Sequence, residues 1–351
     1  MTERDAASVL TEAPLAESFQ RAAGVGVDEH RFRVAGHVLL LRFAGPALAE
    51  RMIPALAHLA ADGDDEPHLS VDIWDSASTG TPEPALPAVD SDRDPFGAVY
   101  FFGAPPVRAA YQPGPRIVSA FDAERARAWY WVANAVELPY WDAAAPIRQL
   151  LHWWLEARGL RLVHGGAVGR PAGGVLLVGR GGSGKSTSAL SSLRSELRYA
   201  GDDYVAVALE PEPRVHSLYN SGKVEPHHVE RLPHLRGALA NPDRLATEKA
   251  IVYVEGNYPG RAIDGFPLRA VLVPRITERE QPRVIEASRA AALKALAPST
   301  IFQLHPQGGQ ALAAMARLVD KVPAYTLELG ADVDALPVEI GRLLDRLGVP
   351  A

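Results

Sequence analysis

Not one cysteine occurs in the 351 residues, which excludes disulfides and thiolate metal sites. No apolar run approaches the roughly 18 residues that crossing a bilayer takes, and the opening Met1-Thr2-Glu3-Arg4-Asp5 lacks a signal-peptide core. An excess of positive charge is missing as well. The formal net charge is -6, the wrong balance for a protein that grips nucleic acid by its phosphates. These absences predict a cytoplasmic protein with neither a nucleic-acid nor a membrane partner. Lysine is also scarce: only Lys185, Lys223, Lys249, Lys294 and Lys321 occur, and every other permanent cation is arginine. In such a chain a lysine marks a place that needs a compact ammonium, which singles out Lys185 first and then Lys223 and Lys249. The rest is ordinary globular composition, 22% charged and 47% hydrophobic, in a chain long enough for two domains.

The chain reads as two parts. Residues 1–142 form a smaller α+β domain, with strands over 31–43, 68–74, 98–102, 116–121 and 126–132 and an amphipathic helix over 46–60. Residues 76–97, rich in Ser, Thr, Pro, Asp and Gly, read as a long loop. Core packing is the plain expectation for Trp74, Trp129, Trp131 and Trp141. Residues 143–351 read as α/β. A helix over 143–158 leads into strands at 161–168, 174–178, 204–208, 214–218, 250–254 and 268–273, with helices over 287–296, 310–319 and 336–347.

The run Gly179-Arg180-Gly181-Gly182-Ser183-Gly184-Lys185-Ser186-Thr187 follows the strand of 174–178 and precedes a helix-like stretch over 188–193. It fits the phosphate-binding pattern G-x-x-x-x-G-K-[ST] in the strand–loop–helix setting that the pattern requires. The glycines let successive N–H groups turn inward around phosphate oxygens, and the helix N-terminus adds its positive dipole end. Lys185 is the expected counter-charge to β- and γ-phosphates, and the Ser186 hydroxyl is the expected Mg²⁺ ligand. By itself this predicts a nucleoside triphosphate and no more. No N-K-x-D segment is present to read guanine, so ATP is the expected nucleotide.

Gly201-Asp202-Asp203 places two carboxylates 17 and 18 residues after Lys185, at the start of an apolar strand. If that strand lies beside the phosphate-loop strand, one carboxylate joins the Mg²⁺ shell and the other takes a proton from an attacking hydroxyl. The plain alternative is a Gly-Asp-Asp turn into a strand. His164, in Leu162-Val163-His164-Gly165-Gly166, is either a structural histidine or a neighbour that tunes the aspartate pair.

His164-Gly165, the loop from Gly179 to Ser186, and Asp202-Asp203, in this order and at these spacings, resemble the catalytic domain of HPr kinase/phosphorylase. The resemblance covers residues 161–207. It implies an HPr-kinase-like P-loop fold and a phosphotransferase that uses ATP and Mg²⁺ on a serine hydroxyl. It also implies that Asp202 is the general base and helps hold Mg²⁺, and that the protein assembles as a homo-oligomer. Beyond residue 207 the chain departs from the family, whose basic substrate-gripping loop and later glutamate-bearing strand are not recognisable. Ser217 to Lys223, Phe266-Pro267-Leu268-Arg269 and Ala297-Pro298-Ser299-Thr300 stand there instead. This combination is similar to the HPr-kinase-like serine kinases of bacteria, relatives of which phosphorylate ribosomally made peptide precursors.

The acceptor is therefore expected to be a hydroxyl of a peptide, a protein or a small molecule rather than HPr. Lys223, Arg269 and Arg275 are candidate contacts for the phosphoryl group or the acceptor. His227, His228 and His234 carry no metalloenzyme pattern and read as a solvated loop. Two rivals stay open: a nucleotide-gated ATPase switch that moves a partner, and a nucleotide-binding scaffold without turnover. The first domain is expected to recognise the acceptor or to serve assembly.

Overall fold

The computed structural model describes residues 10–86, 100–102, 107–304 and 308–351. The chain falls into two compact units: Met1–Ile53 with Leu59–Trp154, and Pro54–His58 with Leu155–Ala351. The division between Trp154 and Leu155 comes later than the 142/143 boundary read from the sequence. Most of the expected loop over 76–97 beyond residue 86, and the start of the expected strand at 98–102, lie outside the described residues.

The first unit is a mixed sheet of seven strands: β1 (Val27–Val34), β2 (His37–Ala44), β3 (Leu69–Asp75), β4 (Tyr100–Phe102), β5 (Val107–Gln112), β6 (Ile117–Asp122) and β7 (Arg127–Val132). Their order is β1-β2-β3-β7-β6-β5-β4. β2, β3 and β7 run parallel in the middle, and antiparallel neighbours flank them. One face is covered by helix α1 (Glu12–Ala22), which buries Leu15, Phe19 and Ala22 at helical spacing against Trp74, Trp129 and Trp131. Those three indoles are fully buried as expected, whereas Trp141 is only half-buried and lies edge-on to Tyr140. The helix expected over 46–60 is α2 (Ala47–Leu56), with Pro54 in its last turn, followed by a 3₁₀ turn over Ala57–Leu59. Helix α3 (Arg148–Glu156) follows the sheet.

The second unit is built on two long strands that change partners. β8 (Arg161–Arg170) has β9 (Gly173–Val178) on one edge over residues 165–170. On its other edge lie, end to end, β10 (Arg198–Gly201) and β11 (Tyr204–Ala208). β15 (Gly265–Ile276) pairs in turn with β12 (Arg214–Ser217), β9 and β17 (Ala324–Leu329), and β16 (Arg283–Glu286) closes that end. β13 (Ser221–Val224) and β14 (Ala250–Tyr253) form a separate ribbon. Alternation in β9 sends Val175 and Leu177 to one face and Leu176 and Val178 to the other. The first face carries α4 (Lys185–Ser191) and α7 (Leu336–Arg346). The second carries α5 (Arg289–Gln303) and α6 (Gly308–Lys321). This is a mixed α/β layer with both faces of its central strand buried.

Glu328 on β17 stands directly opposite Arg275 on β15 and Arg283 on β16, and both guanidiniums bond its buried carboxylate. Hydrogen bonds from Arg283 and Arg275 hold this carboxyl below its ordinary value. A folded-state value below the unfolded one, about 4.3, adds stability above that pH and loses it as the pH falls. Glu328→Gln should therefore be less stable than the wild type at pH 7, with the gap closing in acid. Urea midpoints that differ equally at pH 7 and pH 3.5 would contradict this ion-pair account.

Candidate active site

The phosphate-loop pattern occupies the turn between β9 and α4. Gly182 and Gly184 have φ of +75° and +100°, a region that favours glycine. At Gly184 a Cβ would come within 2.2 Å of the Leu329 side chain, whereas at Gly181 and Gly182 it would meet nothing within 4 Å. The loop is thus seated on β17 at one point and open above two of its glycines. The Lys185 ammonium is buried and donates to the carbonyls of Gly179 at 2.7 Å and Arg180 at 3.2 Å. Burial holds it below the ordinary lysine value, against the opposing pull of Asp202 and Asp203. Ser183 Oγ is buried with no partner among the described residues. An orphaned hydroxyl, a buried ammonium and open space over two glycines fit a bound phosphate chain.

The carboxylate pair is placed by the break between β10 and β11. The condition that β11 lie beside the phosphate-loop strand is not met: β8 separates it from β9. The aspartates still reach the loop, since the Ser186 hydroxyl bonds Asp202 across β8, where two glycines pack closely. A Cβ on Gly165 would lie 2.7 Å from the Leu177 carbonyl oxygen of β9, which no side chain could occupy, whereas one on Gly166 would make ordinary contact with Asp202 Oδ1 at 3.6 Å. The Gly165 amide bonds the Asp203 carbonyl at 3.0 Å, and Asp203 itself takes φ of +75°. A non-glycine residue held there is strained, a cost met by the contacts around it.

The two carboxylates have different surroundings. Asp202 is 1% exposed; it accepts from the Ser186 hydroxyl at 3.1 Å and from the Lys223 backbone N–H at 3.2 Å. Burial, helped by the charge of Asp203, pushes its carboxyl above the usual range. Asp203 is the more open of the two, its side chain 23% exposed. Its Oδ1 lies 2.9 Å from His164 Nε2 and its Oδ2 2.5 Å from Lys223 Nζ. Burial alone would push Asp203 up, but the Lys223 ammonium and the His164 ring outweigh it and hold the carboxyl far below the usual range. His164 is positioned by its own backbone N–H, which donates to the buried Thr300 Oγ1 at 3.2 Å, and by the Tyr204 ring 5.4 Å away.

His164, residues 181–187 of the loop, Asp202, Asp203 and Lys223 line one cavity of about 400 Å³. Lys249, picked out by the rarity of lysine, is on the same wall and pairs with Glu225 at 2.8 Å. Gly179 and Arg180 contribute carbonyls to Lys185 from beneath. Arg269 and Arg275 do not belong to this lining. Arg269 turns to Glu212 and the Ala172 carbonyl, and Arg275 to Glu328, because β15 carries them to other partners. His228, Arg231 and Arg279 line the cavity although no local sequence pattern marks them for it. Among the described residues, no group of three or more His, Cys, Asp or Glu is arranged to hold a metal. Ser186 and Asp202 together offer two hard oxygen donors, which suits Mg²⁺ held chiefly by substrate phosphates and water.

No protein-family profile matches this chain, and no curated protein does. Among solved structures, the Hpr(Ser) kinase/phosphatase from Coxiella burnetii is distantly similar. The match has 12% sequence identity and a TM-score of 0.29, over 53% of this chain and 93% of that one. Among the described residues no helix is long and apolar enough to cross a membrane.

Proposed function

We propose that the second unit is a Mg²⁺-ATP-dependent phosphotransferase acting on a hydroxyl of a peptide, a protein or a small molecule. The observation that carries this reading is the division of labour between adjacent carboxylates beside the phosphate loop. One is buried against the loop serine, and the other faces the cavity between a histidine and a lysine. Mg²⁺, when bound, would supply positive charge to offset that of the transferring phosphates. Ser186 and Asp202 would hold it, and Lys185 with the loop amides would hold the β- and γ-phosphates.

Asp203, rather than Asp202, is the carboxylate assigned to the acceptor. Both carboxylates line the cavity with both oxygens engaged, but Asp202 is buried, whereas Asp203 is the more exposed and its partners His164 and Lys223 are side chains of the same lining. The acceptor oxygen forms its bond to the γ-phosphorus as the bond to the β,γ-bridging oxygen breaks, and the acceptor proton passes to Asp203. Lys223 is the partner able to release Asp203, since the incoming phosphoryl group competes for its ammonium. His164 keeps the other oxygen aimed. A weak base suffices, because phosphoryl transfer has a loose transition state with little demand for an early proton.

The test is calorimetric titration of the full chain with Mg²⁺-ATP, followed by assay of ADP formation with and without a panel of hydroxyl-bearing peptides and small molecules. Saturable ATP binding, with transfer of labelled phosphate to an acceptor, is expected. No binding up to about 5 mM ATP would end the nucleotide reading. ADP formation indifferent to every acceptor would favour the nucleotide-gated switch.

A further inference from the structure

The first unit carries a built site that the phosphotransferase reading does not use. On the sheet face covered by α1, Glu29, Arg42 and Asp72 stand directly opposite one another on β1, β2 and β3. Arg127 on β7 reaches the same carboxylate. Arg42 donates to Asp72 Oδ1 at 2.7 Å and Arg127 to Oδ2 at 2.8 Å, and Asp72 is only 2% exposed. Each guanidinium also lies over a ring, Arg42 at 5.3 Å from the Phe19 centroid and Arg127 at 5.7 Å from that of Trp129.

Asp72 and Glu29 together do not use up the donors of the two arginines. Arg42 Nε goes to Glu29 at 3.0 Å, which leaves Nη2; Arg127 leaves Nε and Nη1 without an acceptor among the described residues. Arg42, Asp72 and Arg127 line a cavity of about 200 Å³, walled otherwise by Ala16, Phe19, Gln20 and Ala23 of α1 and the residue after it. Two positive charges and one negative line it, and Glu29 beside the lining pairs with Arg42, so the cluster as a whole is neutral.

We propose that this cavity binds a small organic monoanion: a carboxylate, taken by the spare N–H groups of Arg42 and Arg127, with an aromatic or branched aliphatic stem against Phe19. A guanidinium presents its donors in a planar fork that matches a carboxylate. A carboxylate adds one negative charge to this neutral cluster, whereas a phosphate dianion would add two beside Asp72. The volume is adequate, since an apolar cavity of about 150 Å³ admits benzene. Asp72 fixes both guanidiniums in advance, so little ordering remains for the ligand to impose.

Benzoate titrated into the full chain is the direct test, read by calorimetry and by the fluorescence of the neighbouring Trp129. Saturable binding with Kd of about 1 mM or tighter is expected, and the neutral benzamide should not compete. Arg127→Gln should weaken benzoate at least tenfold or so, through loss of charge-assisted bonds. Gln20→Trp, at an exposed position of α1, fills the cavity and leaves the ion pairs intact, so it should abolish binding at an unchanged melting temperature. The proposal is overturned by no saturable binding up to about 20 mM, by equal binding of benzamide, or by undiminished binding to Gln20→Trp. Preference for inorganic phosphate over benzoate overturns the carboxylate assignment.

Discussion

Lys185→Ala is expected to leave a folded protein whose affinity for ATP is down about 10- to 100-fold and whose phosphoryl transfer is down about 10²- to 10³-fold. Lys185 is 7% exposed, and among the described residues its ammonium donates to the Gly179 and Arg180 carbonyls and to no other group, so alanine opens no apolar core. Burial already disfavours this charge, and removing it takes away a desolvation cost along with two hydrogen bonds. Stability should change little, therefore, while the counter-charge for the phosphates disappears. Lys185→Arg should not rescue transfer, since a planar fork does not replace a compact ammonium in a cradle seated against Leu329. Circular dichroism and nucleotide calorimetry on the two variants check this. Normal ATP affinity in a folded Lys185→Ala protein would sink the phosphate-loop assignment.

The second large effect separates the two aspartates. Asp203→Asn should lower transfer by at least about 10²-fold, because the amide cannot take the acceptor proton. ATP binding should survive or improve, since Lys223 is no longer held by a carboxylate at 2.5 Å. Asp202→Asn should instead raise the Mg²⁺ concentration needed for half-maximal transfer, because the carboxylate beside Ser186 is lost. Initial rates against Mg²⁺ concentration for each variant distinguish the roles. The reverse pattern, with near-normal transfer by Asp203→Asn and an unaltered Mg²⁺ requirement in a nearly inactive Asp202→Asn, would return the base role to Asp202, as the family resemblance implies.

How much of this site is legible in the sequence depends on how local its chemistry is. Residues 179–187 announce themselves because the glycines, the lysine and the serine act within one turn, and the strand and helix on either side are coded by neighbouring residues. His164 and the aspartates are visible as residue types, but not their pairing. The sequence places Asp202 and Asp203 equally, and only the break between β10 and β11 sends one inward to Ser186 and the other to His164 and Lys223. Arg269 and Arg275 resemble phosphate clamps on charge alone. The partner changes along β15 carry one to Glu212 and the other to Glu328. α1 is legible from spacing alone, since Leu15, Phe19 and Ala22 recur at helical period with Glu12 and Pro14 in the first turn; what the spacing does not give is the sheet face it covers.

What the sequence determined by itself is the set of short-range devices: the glycine loop, the helix that follows it, the apolar strands, and the rarity of lysine that marked Lys185, Lys223 and Lys249. Three of the five lysines meet in one cavity, at the loop, beside Asp203 and beside Glu225. The tertiary structure alone decided which carboxylate touches which group. It also decided the Arg42–Asp72–Arg127 row, whose members are far apart in the chain and meet only across β2, β3 and β7. The physical reason is the range of the forces. Turn geometry and helix capping act within a few residues, so the local sequence specifies them. Strand pairing and buried charge networks are settled by which distant segments bury their apolar faces together, and no local pattern carries that information.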